Sequence, residues 1–317
     1  MKSRGFFRLI WTTHYCRPNG LTVENRPEKF KQKMEKKAES ISQSKRALLA
    51  REISRYDCIA VTGATSGIGR GFAELIDSLA NVKLCNISRT FPSYLKDRKD
   101  FLNVPCDLKN SEEISEAVKK VLDFANADRP ADAPAPRILL INNSGFGAYG
   151  EFPAPSTERN CDMVDLNARA VVQLCGEMKT AIVAGKGSII NIASTAAFQP
   201  CPNLAVYAAT KSFVMSFTLG MGYELRKHGC KCLCVAPGPT SSNFFKAAGF
   251  DTPPLPSGFG HKPFDVAYAA LEALAKNKSL KVVGKLNKLQ TVAVKFVPLG
   301  LLTHISGLIL SKIRTLK

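Results

Sequence analysis

Through the middle of the chain, short apolar runs alternate with longer segments in which apolar residues recur every three or four positions. The short runs are CIAVTG (58–63), VKLCNIS (82–88), NVPCDL (103–108), RILLINNSG (137–145), GSIINIAST (187–195) and CKCLCVAPG (230–238). Each has strand length and little alternation, as expected of strands buried on both faces. Between them lie helical patterns: GRGFAELIDSLA (69–80), SEEISEAVKKVLDFA (111–125), and long segments over 156–184 and 203–227. The proline-rich stretch ADRPADAPAP (127–136) is a loop. Strands spaced by helices predict an α/β domain, a doubly wound parallel β-sheet with helices on both faces.

The flanks differ from this body. Residues 24–56 are highly charged with helical spacing and predict a linker helix, mostly solvated. The first 20 residues are basic and aromatic. Arg8 interrupts any apolar run, so a secretory signal is not expected. An organellar presequence and an unprocessed tail both fit, giving a cytoplasmic or organellar protein. The division expected is an extension over 1–56, a catalytic body over 57–280 and a tail over 281–317. In the tail, Phe296 to Leu310 carries no formal charge, but its 15 residues include Pro298 and fall short of the ~20 that span a bilayer. Two readings stand: an amphipathic or re-entrant segment in a membrane surface, or packing on the body or a second subunit.

Charge sharpens the distinction. The chain of 317 residues has a formal net charge of +18. Residues 1–56 hold 14 basic and 5 acidic side chains, and residues 276–317 hold 9 basic and no acidic ones. The span 57–275 is balanced, with 21 of each sign. A neutral body with basic ends argues against a nucleic-acid surface across the domain and for targeting or attraction to anionic lipid. The 10 cysteines include no CxxC pair, and the 4 histidines lie at no ligand spacing to them, so reduced structural thiols and no metal site are expected. In CKCLC, Cys230, Cys232 and Cys234 fall on one face of a strand.

The chemistry gathers at strand ends. TGATSGIG (62–69) follows the first strand and opens the first helix. Gly63, Gly67 and Gly69 permit a tight turn and close approach of a pyrophosphate, and the helix N-terminus offers free N–H groups. NNSG (142–145) ends the fourth strand, Asn167 lies in the following helix, Ser194 ends the fifth strand, and Tyr207 and Lys211 form YAATK. Four residues are one helical turn, so the phenol and the ammonium share a face. A loop with Pro237 and Gly238, PGPTSSNF, follows the sixth strand.

With these motifs in this order, residues 57 to about 280 resemble the short-chain dehydrogenase/reductase family. The resemblance implies an NAD(P)-dependent oxidoreductase acting on C=O and CH–OH groups. Tyr207 would exchange the proton with the substrate oxygen, Ser194 would hydrogen-bond that oxygen, and Lys211 would hold the nicotinamide ribose and lower the Tyr207 pKa. Asn167 would kink its helix and hold a water beside Lys211. The cofactor positions implied are Gly63, Thr65, Ser66, Gly67, Ile68, Gly69, Arg89, Asp107, Leu108, Asn143, Tyr207, Lys211, Pro237, Gly238 and Ser242. Two positions depart from the family pattern. NNSG stands for the usual NNAG, and STAAFQP (194–200) lacks the usual glycine.

Members that use NAD usually carry an acid at the end of the second strand. Here the sequence is CNISRTF, with Arg89 and no acid. A guanidinium pairs with a 2′-phosphate, so NADP is expected in preference to NAD, and reduction as the working direction. NAD-dependent alcohol or hydroxysteroid oxidation is the alternative, and a non-enzymatic cofactor-binding protein a more distant one. Residues 239–264 hold Phe244, Phe245, Phe250, Phe259 and Phe264, which suit either a lid over a hydrophobic substrate or plain packing. A homodimer or homotetramer through 156–184 and 203–227 is implied by the resemblance.

Overall fold

The computed structural model describes residues 42–241, 244, 248 and 260–315. Seven strands form one parallel sheet: β1 (Cys58–Thr62), β2 (Lys83–Ile87), β3 (Phe101–Val104), β4 (Ile138–Asn142), β5 (Ser188–Ile192), β6 (Lys231–Ala236) and β7 (Leu280–Val282). Their order is β3-β2-β1-β4-β5-β6-β7. β1 pairs with β2 on one side and with β4 on the other, Cys58 opposite Lys83 and Ile138. The chain thus reverses its direction of progress between β1 and β4, and the loops leaving these two strands diverge into a crevice.

The helices are α1 (Gln43–Ile53), α2 (Gly67–Leu79), α3 (Ser111–Asn126), α4 (Thr157–Val164), α5 (Ala170–Ala184), α6 (Ala205–Arg226), α7 (Pro263–Ala275), α8 (Lys285–Ala293) and α9 (Leu299–Thr315). Strand residues alternate between two apolar layers. Ile59, Val61, Leu139 and Ile141 pack with α1, α2 and α7. Cys58, Ala60, Ile138 and Leu140 pack with α3, α5 and the inner face of α6. Cys230, Cys232 and Cys234 all enter the second layer, as their spacing requires. The described cysteines are free thiols, and burial pushes Cys232 and Cys234 up to about 12, so both are neutral at pH 7.

Several elements differ from the sequence reading. β3 starts at Phe101 and stops at Val104, because Pro105 has no N–H for the ladder. β7 has three half-buried residues, too short for its pattern to register as a strand. Helix α1 is solvated over most of its surface, as expected, but it docks on the body through one narrow stripe. Leu49 and Ile53 are fully buried against α2 and α7. Its buried Glu52 accepts from Tyr56 Oη at 3.1 Å and pairs with Lys231 Nζ at 2.9 Å. The tail packs on the body through one face, with Thr291, Leu302 and Ser306 buried. Tyr149 Oη donates to the Leu310 carbonyl at 2.9 Å, and Gln199 Nε2 donates to Ser306 Oγ at 3.2 Å. Among the described residues, no helix is long and apolar enough to cross a membrane.

Truncating Ile53 to Ala removes three buried carbons from the contact of α1 with the sheet layer. Chemical denaturation is expected to show a loss of about 2–4 kcal/mol. A loss under about 0.5 kcal/mol, as at surface positions, would return α1 to the role of a solvated appendage.

Candidate active site

The turn after β1 is built from backbone constraints. Gly63 has φ +71° and Gly67 has φ +53°, conformations that L side chains rarely adopt. A Cβ on Gly69 would collide with the Gly63 carbonyl, so the first turn of α2 closes onto the loop only with glycine there. The Asn86 side chain holds the loop from the neighbouring strand: its Oδ1 accepts from Ala64 N at 2.9 Å. On the other side, Asn143 Nδ2 donates to the Thr62 carbonyl at 2.9 Å, and Thr62 Oγ1 accepts from the Asn143 and Ser144 amides, each at 2.9 Å. The free amides of α2 therefore face the crevice between β1 and β4.

Downstream strand ends complete one continuous cleft of about 720 Å³. It is lined by Gly63, Thr65, Ser66, Gly67 and Ile68, then by Arg89, Asp107, Leu108 and Asn143. Ser194, Tyr207, Lys211, Pro237 and Gly238 line its other end. Gly69 lies beneath the turn it supports. Ser242, with Phe245, Phe250 and Phe259, lies outside the described residues.

Asn167 sits behind the cleft, fully buried, in a π-helical turn Asp165–Arg169 that joins α4 to α5. The resemblance implied a kink here, and the helix carries a π turn at this point. Its side chain clamps the loop after β4. Oδ1 accepts from Phe146 N at 3.1 Å, and Nδ2 donates to the Phe146 carbonyl at 2.9 Å and to Thr210 Oγ1 at 3.1 Å. Gly145 fills the space between this amide and the ammonium: a Cβ there would lie 2.8 Å from Asn167 Oδ1 and 3.2 Å from Lys211 Nζ.

Tyr207 and Lys211 share one buried face of α6. Lys211 Nζ donates to the Ile192 carbonyl at 2.9 Å and lies 5.9 Å from the Tyr207 ring centroid. Burial pushes the Tyr207 phenol up to about 12, and a hydrogen bond with Ser194 opposes that rise. Burial also brings Lys211 down to about 8. The two strongest influences on Tyr207 are thus its own desolvation and the serine hydroxyl.

One end of the cleft is mainly apolar. Phe146, Tyr149, Leu204 and Phe244 line it, with the Phe244 ring centroid 5.2 Å from that of Tyr207. Ile309 and Leu310 of α9 close the same end. Among polar groups there, the Arg159 guanidinium lies over the Phe146 ring, 3.9 Å from its centroid, and no described carboxylate pairs with it. Of these, the sequence reading named Phe244, in the stretch suited to a lid or to packing, and missed the others. Phe146 and Tyr149 follow NNSG and were reachable from the rule that sites form at the carboxyl ends of parallel strands. Nothing local marks Arg159 or the two α9 residues. Gln290 of α8 and Ser306 of α9 line the cleft as well.

The comparisons with known proteins agree with this geometry. The family model described as short chain dehydrogenase matches residues 57–251. An uncharacterized oxidoreductase of Staphylococcus aureus (strain USA300) is 28% identical over 229 residues, covering 70% of this chain and 92% of its own. Among solved structures, a short chain dehydrogenase from Burkholderia cenocepacia in complex with NADP superposes with TM-score 0.64 at 22% identity, covering 76% of this chain and 93% of that one. A short chain dehydrogenase/reductase from Burkholderia phymatum in complex with NAD gives TM-score 0.63 at 20% identity, covering 75% and 92%.

The lowered Lys211 pKa has a signed consequence. Between pH 8 and its unfolded value of about 10.5, the unfolded chain binds more protons at this residue than the folded one, so the Lys211 contribution to stability rises with pH there. Denaturation of the protein and of Lys211→Met should therefore show the variant's relative stability highest near pH 7 and declining from pH 8 to 10.5. A difference independent of pH would mean that Lys211 is not desolvated.

Proposed function

The chain belongs to the short-chain dehydrogenase family, and from that premise we propose that it is an NADPH-dependent reductase of a carbonyl group on a hydrophobic substrate. The observation that carries this reading is the single cleft that holds the glycine turn at one end and Ser194, Tyr207 and Lys211 at the other. The glycine turn, which closes this tightly only because Gly63 and Gly69 carry no Cβ, fits a dinucleotide pyrophosphate at the α2 N-terminus. Arg89 stands exposed on the cleft wall with no described carboxylate beside it, suited to a 2′-phosphate. Asp107 and Leu108 would receive the adenine, and Pro237 and Gly238 would border the nicotinamide end.

When bound, the nicotinamide supplies a hydride to the substrate carbon. The protein handles the proton. Tyr207 is protonated at pH 7 and would give its proton to a carbonyl oxygen; burial makes the phenol a weaker acid, and the lowering expected from Lys211 is not among the influences on it. Ser194 hydrogen-bonds the phenol and would share the substrate oxygen, fixing its position 13 residues along the chain from the donor. Lys211 retains most of its charge at pH 7 and would offset the phenolate left behind. Asn167 positions rather than reacts: its amide fixes the backbone at Phe146 and, through Thr210, the first turn of α6. The apolar rings at the substrate end favour a hydrophobic ketone, and Phe244 against Tyr207 would exclude water. Exposed apolar residues on the long helices, among them Val172, Phe213, Leu219 and Tyr223, support pairing of subunits through α4, α5 and α6.

Two measurements test the reading. Tyr207→Phe is expected to lower turnover of a ketone substrate by about 10²–10⁴-fold while NADPH binding, followed by fluorescence, is unchanged. Undiminished turnover would remove Tyr207 from the chemistry. Arg89→Asp is expected to weaken NADPH binding by at least about tenfold and to improve NADH binding. A parent protein that prefers NADH would overturn the cofactor assignment and leave the family standing.

A further inference from the structure

Beside the tail, a second cleft of about 480 Å³ lies between the end of α7, β7 and α8. Its walls carry Lys276, Lys278, Lys281, Lys288 and Lys295, and one acid, Glu272. Glu272 is taken by Lys276 at 2.7 Å. The other four lysines make no ion pair among the described residues. Five lysines thus share one carboxylate, Glu272, which Lys276 and Lys281 both hold in its charged form, and the positive charge left over suits an anion.

Next to this cleft the same helices present an apolar surface. Leu286 is 82% exposed, Leu289 67% and Phe296 83%. On α9, Leu301, Ile305 and Leu308 follow at four and three residues, one stripe along the helix, and all three are exposed. The opposite stripe, Leu302 and Ser306, is buried on the body. The tail is therefore already packed, and its outward stripe is surplus to the fold. Exposed apolar surface of this extent, rimmed by polar residues, marks an interaction site.

We propose that α8, α9 and the lysine cleft form a docking surface for an anionic lipid bilayer. The apolar stripe enters the interface between head groups and acyl chains, and the lysines bind lipid phosphates and carboxylates. Charge decides against a second copy as the occupant. Residues 276–317 carry nine cations and no anion, so two such faces would repel each other. The apolar stripe decides against nucleic acid, which offers it nothing. Ser306, Ile309 and Leu310 line the catalytic cleft from the same helix. Docking thus sets the apolar end of that cleft beside the lipid, where a hydrophobic substrate resides. The docking itself does not depend on the catalytic reading and is measured without turnover.

The test is flotation of the full-length protein with vesicles of phosphatidylcholine alone, and of phosphatidylcholine with roughly a third phosphatidylserine, at low and high salt. Binding to the anionic vesicles alone, weakened by salt, is expected. The Lys281→Glu/Lys288→Glu/Lys295→Glu variant is expected to bind at least about a hundredfold more weakly, at about fivefold per basic residue lost near the surface. Leu286→Asp/Leu289→Asp is expected to abolish flotation. All five positions are at least half exposed or rim a cleft, and thermal melting followed by circular dichroism checks that each variant folds. If the reversals unfold the chain, Lys→Gln at the same three positions replaces them. No flotation, equal flotation with neutral vesicles, or flotation unchanged in both variants would overturn the proposal. So would a lipid-free dimer that falls apart in Leu286→Asp/Leu289→Asp, which would make the stripe a subunit contact.

Discussion

Where a parallel sheet ends, its ladder ends with it, and the backbone groups of the emerging loops need other partners. In this protein asparagine side chains supply many of them. Asn86 takes the amide of Ala64 in the glycine turn, Asn143 reaches the Thr62 carbonyl, and Asn167 clamps both polar groups of Phe146. Deeper in the sheet, Asn142 donates to Asn191 at 2.8 Å and Asn191 to Thr218 at 2.9 Å, tying β4 and β5 to α6. An amide side chain carries both donors and an acceptor, and Asn86 and Asn167 use both, so one side chain can replace a missing ladder bond on each side. The cleft keeps its shape because these loops are tied to the sheet.

That rigidity has an electrostatic counterpart. Tyr207 and Lys211 are carried into the protein by α6, and desolvation moves each toward its neutral form. A buried lysine works against folding at neutral pH. Its position is held by the Ile192 carbonyl and by the absence of a side chain at Gly145. For the phenol, the same burial raises the pKa and keeps the group neutral.

The tail joins two surfaces through one pair of helices. Its inner face reaches the catalytic cleft through Gln290, Ser306 and Leu310, and its outer face carries the leucines and the lysines. Asn287 packs at Gly238 of the cleft loop, where any Cβ would strike it, and its Nδ2 lies 3.1 Å from His261 Nε2. The tail helices are thus in direct contact with the loop after β6.

The sequence by itself determined the layered fold and the chemical core of the site. Buried parallel strands are continuous apolar runs; TGATSGIG, NNSG and Ser194 each sit where a strand gives way to a loop or helix, and YAATK lies at the start of a helix. These features are local, since the backbone turn, the one-turn spacing of Tyr207 and Lys211 and the strand ends all lie within a few residues. Tertiary structure alone decided what depends on distant segments meeting. The charged pattern of α1 hides two fully buried residues, Leu49 and Ile53, because a narrow apolar stripe suffices against a ready-made layer. Arg159 reaches the cleft because the loops after β4 and the turn into α4 converge there. The tail's apolar stretch looked uniform, and only packing divided it into a face that closes the cleft and a face turned to solvent. A helix has one hydrophobic pattern, and which part of it is covered is set by the neighbours it meets.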